Sequence, residues 1–270
     1  MRGLLTGLLL AVLVAAAPAH AAEPGPPYDP LGFENPLSPV MRAYRDAPAP
    51  ADALNLFVAL NIRWFVTRQQ VEEARRVRDV ITAFYAQILR DNPELVRPFA
   101  EALGREGTGH HLNVGAGAIR VADPPNLAEA LAAMKAARLA RYEGDETDEL
   151  EAALDKLIEQ AMALPVFPYT AEPPRTRSEV DQLWAAFYAG GDELYLARLF
   201  DTLDDWPGRA CVEALAGNAS GGGQAEAGNA RLALCPGDDD ELDHAYLRTT
   251  EYVRHTLAKQ AEADPSFAAR

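Results

Sequence analysis

Between Val71 and Ile88 apolar residues recur every three or four positions, at Val71, Ala74, Val77, Ile81, Phe84, Tyr85 and Ile88. That period commits the segment to an α-helix with one buried face. Thr67-Arg68-Gln69-Gln70 has the form of a capping box just before it, and Glu72, Glu73, Arg75, Arg76 and Asp79 fall mostly on the other faces. The same signals return along the chain. Ser38-Pro39 reads as an N-cap followed by proline at the first helical position, opening a short helix to Ala47. Asn92-Pro93 starts a helix ending near Gly104, Asn126 starts one carrying Leu127, Leu131, Met134 and Leu139 that stops at Gly144, and Thr147 to Leu164 repeats the scheme with Leu150, Leu154, Leu157, Ile158 and Ala161. The segment Leu54 to Val66 is less decided. Its even positions would line one face of a strand, but its helical surroundings favour a buried helix. The expected fold is all-α, an irregular multi-helix bundle or an array of helical hairpins.

The punctuation divides the chain. Met1-Arg2, the apolar run Gly3 to Ala17 and Ala19-His20-Ala21 form the pattern of a signal peptide over residues 1–21, with cleavage after Ala21. The run is shorter than the roughly 20 residues that cross a bilayer, so the expected product is a free, soluble periplasmic or secreted protein with no stable membrane insertion. Residues 22–37, with Pro24, Pro26, Pro27, Pro30 and Pro36, read as an extended N-terminal arm. Residues 38–164 form a helical region. Residues 165–177, with Pro165, Pro168, Pro173 and Pro174, are a strap or linker, and Phe167 and Tyr169 favour a strap laid over the helices. Residues 178–270 form a C-terminal helical region. It opens on a hairpin, with Thr176-x-x-Glu179 and Ser178-x-x-Asp181 as alternative caps and a stripe of Val180, Leu183, Trp184 and Phe187. Gly190-Gly191 makes the turn, and Leu196, Leu199, Phe200 and Leu203 follow on the second helix.

Residues 166–177 (Val-Phe-Pro-Tyr-Thr-Ala-Glu-Pro-Pro-Arg-Thr-Arg) together with Val180-Asp181-Gln182-Leu183-Trp184-Ala185-Ala186-Phe187 resemble uncharacterised exported proteins of proteobacteria. The hairpin spanning residues 166–203 is similar to one tetratricopeptide-type helix pair, without a second copy at the repeat period of about 34 residues. The resemblance implies a helical fold and carries over no catalytic residue.

Charge and cysteines narrow the function. With 25 Lys and Arg against 40 Asp and Glu, the formal net charge is −15. Nucleic acid and anionic membrane surfaces both demand a concentrated basic face, so neither is an expected partner. Cys211 and Cys235 are the only cysteines, and in an oxidising compartment the pair reads as a structural disulfide around the glycine-rich stretch near Gly221. Closing a loop of about 25 residues would stabilise the fold by roughly 3 kcal/mol in the chain-entropy model.

Candidate chemistry is sparse. His110-His111, on what reads as a glycine-rich loop from Gly107 to Gly117, is the one metal or acid-base candidate. Adjacent side chains tend to point apart and no spacing of the His-x-x-x-His kind supplies further ligands, so loop packing and capping is the favoured role. His244 and His255 lie about three helical turns apart, too far to share an ion. Asp238, Asp239, Asp240, Glu241 and Asp243 lack the calcium-loop alternation and suit the start of a last helix. Ser38, Ser178, Ser220 and Ser266 are the only serines, and none sits in a nucleophile motif. No catalytic residue and no cofactor are assigned. The expected function is a periplasmic interaction or scaffold protein with a protein or peptide partner; the alternative is an enzyme or a small-ligand or metal-binding protein with a site near His110-His111.

Overall fold

The computed structural model describes residues 28–31, 37–60, 71–142, 146–166, 174–204, 244–264 and 267. Among them are ten α-helices and no strand, so the protein is an all-α bundle. In chain order the helices are α1 (Ser38–Asp46), α2 (Pro50–Ala59), α3 (Val71–Asp91), α4 (Val96–Glu106), α5 (Gly109–Ala122), α6 (Leu127–Leu139), α7 (Glu146–Met162), α8 (Arg177–Gly190), α9 (Glu193–Asp204) and α10 (His244–Ala263). No described helix is long and apolar enough to cross a membrane. The expected signal sequence, the expected capping box at Thr67 to Gln70, Gly144, the Cys211–Cys235 pair and the acidic run at 238–243 all lie outside the described residues. The expected disulfide therefore has no support from the described structure.

The centre of the bundle is α3. Its first half is amphipathic, as the period predicts, but every residue from Val80 to Leu89 is buried. No charged residue occurs in that stretch, so it can be covered on all sides without stranding a charge. One side of α3 packs on α8 and another on α5. Around α8 lie α1, α9 and α10; around α5 lie α4, α6 and α7, with α2 against α4. Buried residues from both sides of the 165–177 segment join one cluster that reaches from Tyr28 to Phe267. Its largest fully buried side chain is Trp184.

Several local expectations shift for tertiary reasons. The segment from Gly107 to Gly117 is not a loop: from Gly109 onward it is the first part of α5. Helix propensity argues against glycine there, yet packing demands it. A Cβ on Gly115 would lie 2.4 Å from Leu103 Cδ1. Gly104 does not end α4, which runs on to Glu106; a Cβ at Gly104 would meet the Met134 carbonyl oxygen at 2.3 Å, so this glycine lets α4 and α6 cross closely. The expected helix from Leu54 to Val66 starts earlier, at Pro50, and ends at Ala59, because Leu60 turns extended with φ −75° and ψ 142°. Phe200 is 43 % exposed, and Tyr195 fills the inward position of α9 in its place. Gly191, at φ 68°, makes the expected left-handed stop of α8.

The described residues of the N-terminal arm, 28–31 and 37, are built into the fold. Tyr28, Leu31 and Leu37 are buried, and Asp29 anchors them by accepting from the Leu31 N–H at 3.0 Å, the Ser38 hydroxyl at 3.0 Å and the Arg42 guanidinium at 3.1 Å. Ser38 thus bonds to the arm, and no side-chain cap is made at the start of α1. Among the described residues two buried side-chain polar atoms have no hydrogen-bond partner, the Arg138 Nε and the Tyr85 hydroxyl. The Tyr85 hydroxyl, between the rings of Phe57 and Phe84, is unpaired, and burial pushes its pKa up.

Candidate functional site

The two sequence-singled histidines part company. His111 is buried and sits at the third position of α5. There its Nδ1 accepts from the Thr108 backbone N–H at 3.0 Å, the part Glu or Gln plays in an ordinary capping box. That fixes the tautomer. Nε2 carries the proton and donates to the Leu60 carbonyl at 2.5 Å, which ties the end of α2 to the start of α5. The ring also stands edge-on to Phe57 at 5.5 Å. Burial lowers its pKa below the usual imidazole value, with the neighbouring His110 charge adding to that and the Leu60 bond opposing it. With both nitrogens used, His111 has no lone pair to give a metal. Among the described residues no group of three His, Cys, Asp or Glu is placed to hold one.

The structure draws attention elsewhere, to Asp181. The sequence offers it as a helix cap, but Thr176 and Glu179 make the capping box. Glu179 Oε2 accepts from the Thr176 N–H at 3.2 Å, and the Glu179 N–H donates to Thr176 Oγ1 at 3.2 Å. Asp181 instead lies on the stripe with Trp184 and Tyr188, one and two turns on, and has 0 % exposure. A carboxylate there survives only if its lone pairs are filled. Oδ1 accepts from the hydroxyls of Tyr28 and Tyr252, the latter at 2.8 Å, and Oδ2 accepts from Arg76 Nη1 at 2.5 Å. The two hydroxyls also lie within hydrogen-bond reach of each other. Burial raises the Asp181 pKa, and Arg76 and the two phenols pull against it; three donors converging on the group give it the geometry of a carboxylate. Burial likewise pushes Tyr252 up to about 12, so both hydroxyls stay protonated and donating.

Arg76 is nearly saturated. Its Nε donates to Glu73 Oε2 at 2.9 Å, its Nη2 to Glu73 Oε1, and its Nη1 to both Asp181 and the Pro30 carbonyl, the last at 2.7 Å. Gln260, also buried, extends the network: its Oε1 accepts from the Tyr28 backbone N–H at 3.3 Å and from the Tyr188 hydroxyl at 3.1 Å. The result is a polar lock that joins the arm, α3, α8 and α10. It is a structural device, because its donors and acceptors are spent on one another.

Above this lock runs a cleft of about 1200 Å³, walled by α3, α5, α7 and α8 and by Leu164-Pro165 and Pro174-Arg175. The polar face of α3 supplies Arg75, Arg78, Asp79 and Thr82, which share one side of the helix at spacings of three and four. Across from them are Gln160 and Leu157 of α7 and Arg177, Gln182 and Leu183 of α8. Comparison with protein-family models, with curated proteins and with solved structures gave no match. None of the three therefore bears on the expected resemblance of residues 166–203 to exported proteobacterial proteins. The sequence places Arg75 and Arg76 off the apolar face of α3 and offers Asp181 only as a cap, and it singles out neither Tyr28 nor Tyr252. A readable sign did exist: Asp181 is an acid on the stripe that Trp184 and Tyr188 make apolar.

Proposed function

We propose that the protein is an exported helical scaffold whose cleft between α3, α5, α7 and α8 receives a segment of a partner protein. The cleft carries this reading. Its volume of about 1200 Å³ lies above the roughly 300–1,000 Å³ of ordinary small-molecule pockets, and its wall mixes arginines with Leu157, Leu164 and Leu183. The lock beneath it offers a rigid floor and no nucleophile or base with a free partner site, which favours binding over catalysis. Export rests on the pattern of residues 1–21.

Site-specific photocrosslinking in the native compartment tests the reading. With the crosslinker at Gln160 or Gln182, inside the cleft, a discrete adduct is expected; at the exposed Glu94, away from it, none is expected. Adducts from Glu94 alone, or from none of the three, would overturn it.

A further inference from the structure

The cleft contradicts the charge of the molecule that holds it. The chain is acidic by 15 units, yet the cleft wall carries five arginines, Arg75, Arg76, Arg78, Arg175 and Arg177, against the three acids Glu73, Asp79 and Glu179. It carries no lysine. Arginine presents a planar fork of donors that matches a carboxylate two bonds at a time, which a lysine ammonium does not.

The acids in the wall are largely engaged. Glu73 is held by Arg76 on both oxygens, and Glu179 accepts from the backbone N–H groups of Arg175 and Thr176 at the start of α8. Asp79 is left to serve two guanidiniums, Arg78 at 3.3 Å and Arg75 at 4.0 Å. Those two side chains are 41 % and 71 % exposed. Arg177, on the opposite wall, stands over the Tyr252 ring at 4.6 Å. The positive end of the α8 dipole opens on the same lip and adds to the field. Beside the arginines the wall is apolar. Leu164 is 38 % exposed in the cleft, and Met162 and Val166 continue that exposed row along the chain.

We infer that the segment received by the cleft is an acidic, amphipathic stretch of a partner chain, whose Asp and Glu carboxylates pair with Arg75, Arg78 and Arg177 while its apolar side chains rest on Leu157 and Leu164. This rests on the docking reading above and gives it a chemistry. Polyphosphate partners fit less well, because counterion release needs many basic groups in a row and the body of the molecule repels a polyanion.

The test uses the purified full chain and fluorescence anisotropy. The probes are short dye-labelled peptides of alternating Glu and Leu, of Gln and Leu, and of Lys and Leu. The Glu peptide is expected to bind about tenfold more tightly than the Gln peptide, with an affinity that falls as salt rises. The double variant Arg75→Glu, Arg78→Glu is expected to lose that advantage, about tenfold, and to gain affinity for the Lys peptide. A thermal melt checks that the variant folds; if it does not, the three peptides and the salt series on the natural chain decide. Equal binding of the Glu and Gln peptides, or an unchanged preference in the folded variant, would overturn the inference. So would displacement of the Glu peptide by millimolar phosphate at constant ionic strength, which would mark a phosphate site. Crosslinks at Gln160 and Gln182 without a preference for the Glu peptide would keep the docking cleft and remove only its acidic specificity. Loss of both results would remove the docking reading itself.

Discussion

Removing the two phenols that face Asp181 should cost more together than apart. In Tyr28→Phe the ring stays where it is, 5.5 Å from Trp184, and only the hydroxyl is lost. Oδ1 keeps the Tyr252 donor at 2.8 Å and Oδ2 keeps Arg76, so the cost should sit near the low end for a hydrogen bond to a charged group, about 1.5 kcal/mol. Tyr252→Phe is symmetrical in this respect and should cost about the same. The double variant is different. It leaves Oδ1 of a carboxylate with 0 % exposure without a donor, and that desolvation appears in neither single variant. The coupling should be about 1–3 kcal/mol, bringing the total to roughly 4–6 kcal/mol. Against a total stability of about 5–15 kcal/mol that is a large share. Urea unfolding of the four proteins measures it, provided the m-values agree. Additive effects, or single variants as stable as the natural chain, would refute the claim that both hydroxyls serve one buried oxygen.

The histidine pair should separate under mutation and pH. His111→Ala loses a cap and leaves the Leu60 carbonyl without its donor, at a cost of about 2 kcal/mol, whereas His110→Ala should stay within about 0.5 kcal/mol. Because burial lowers the folded-state pKa of His111, its contribution is whole above the unfolded value of about 6.5 and is lost as pH falls through the folded one; urea midpoints across that range should decline in the natural chain and decline less in His111→Gln. Tyr85→Phe removes a buried hydroxyl that has no partner and should raise stability by about 1 kcal/mol; a loss in the thermal melt would show that the hydroxyl is satisfied after all.

What the sequence makes legible is what depends on near neighbours. The helical period places α3, α7 and α8, the Thr176-Glu179 pair gives the start of α8, and Gly191 gives its end. The errors arise where a distant surface overrides a local preference. Glycine at 104 and 115 looks like punctuation, but the Met134 backbone leaves no room for a Cβ at 104, and a Cβ at 115 would force Leu103 to move. Within the arm expected over residues 22–37, Tyr28 is held by partners that no local reading supplies, Asp181 at 153 positions and Gln260 at 232. No window along the chain contains both ends of such a bond. Asp181 itself is half legible: its place on the Trp184 stripe can be counted off, but Arg76, 105 positions away, cannot.

The same arginine links the lock to the cleft, and exposure decides how far the two interfere. Arg76 spends its guanidinium on two carboxylates. Asp181 has a side-chain exposure of 0 % and is fixed from three directions, whereas Glu73 is 41 % exposed and sits only one turn away on α3. A pair with one partner facing water is a weaker hold than a buried one, even when bidentate as here, and breaking a buried pair costs about 3–5 kcal/mol. The inferred segment pairs with Arg75, Arg78 and Arg177; a carboxylate that reached Arg76 as well would displace Glu73 before Asp181. Glu73 would then return to water, while Tyr28, Tyr252 and the Pro30 carbonyl would keep their bonds. Binding at the wall and stability at the floor share a residue without sharing the bond that matters to each.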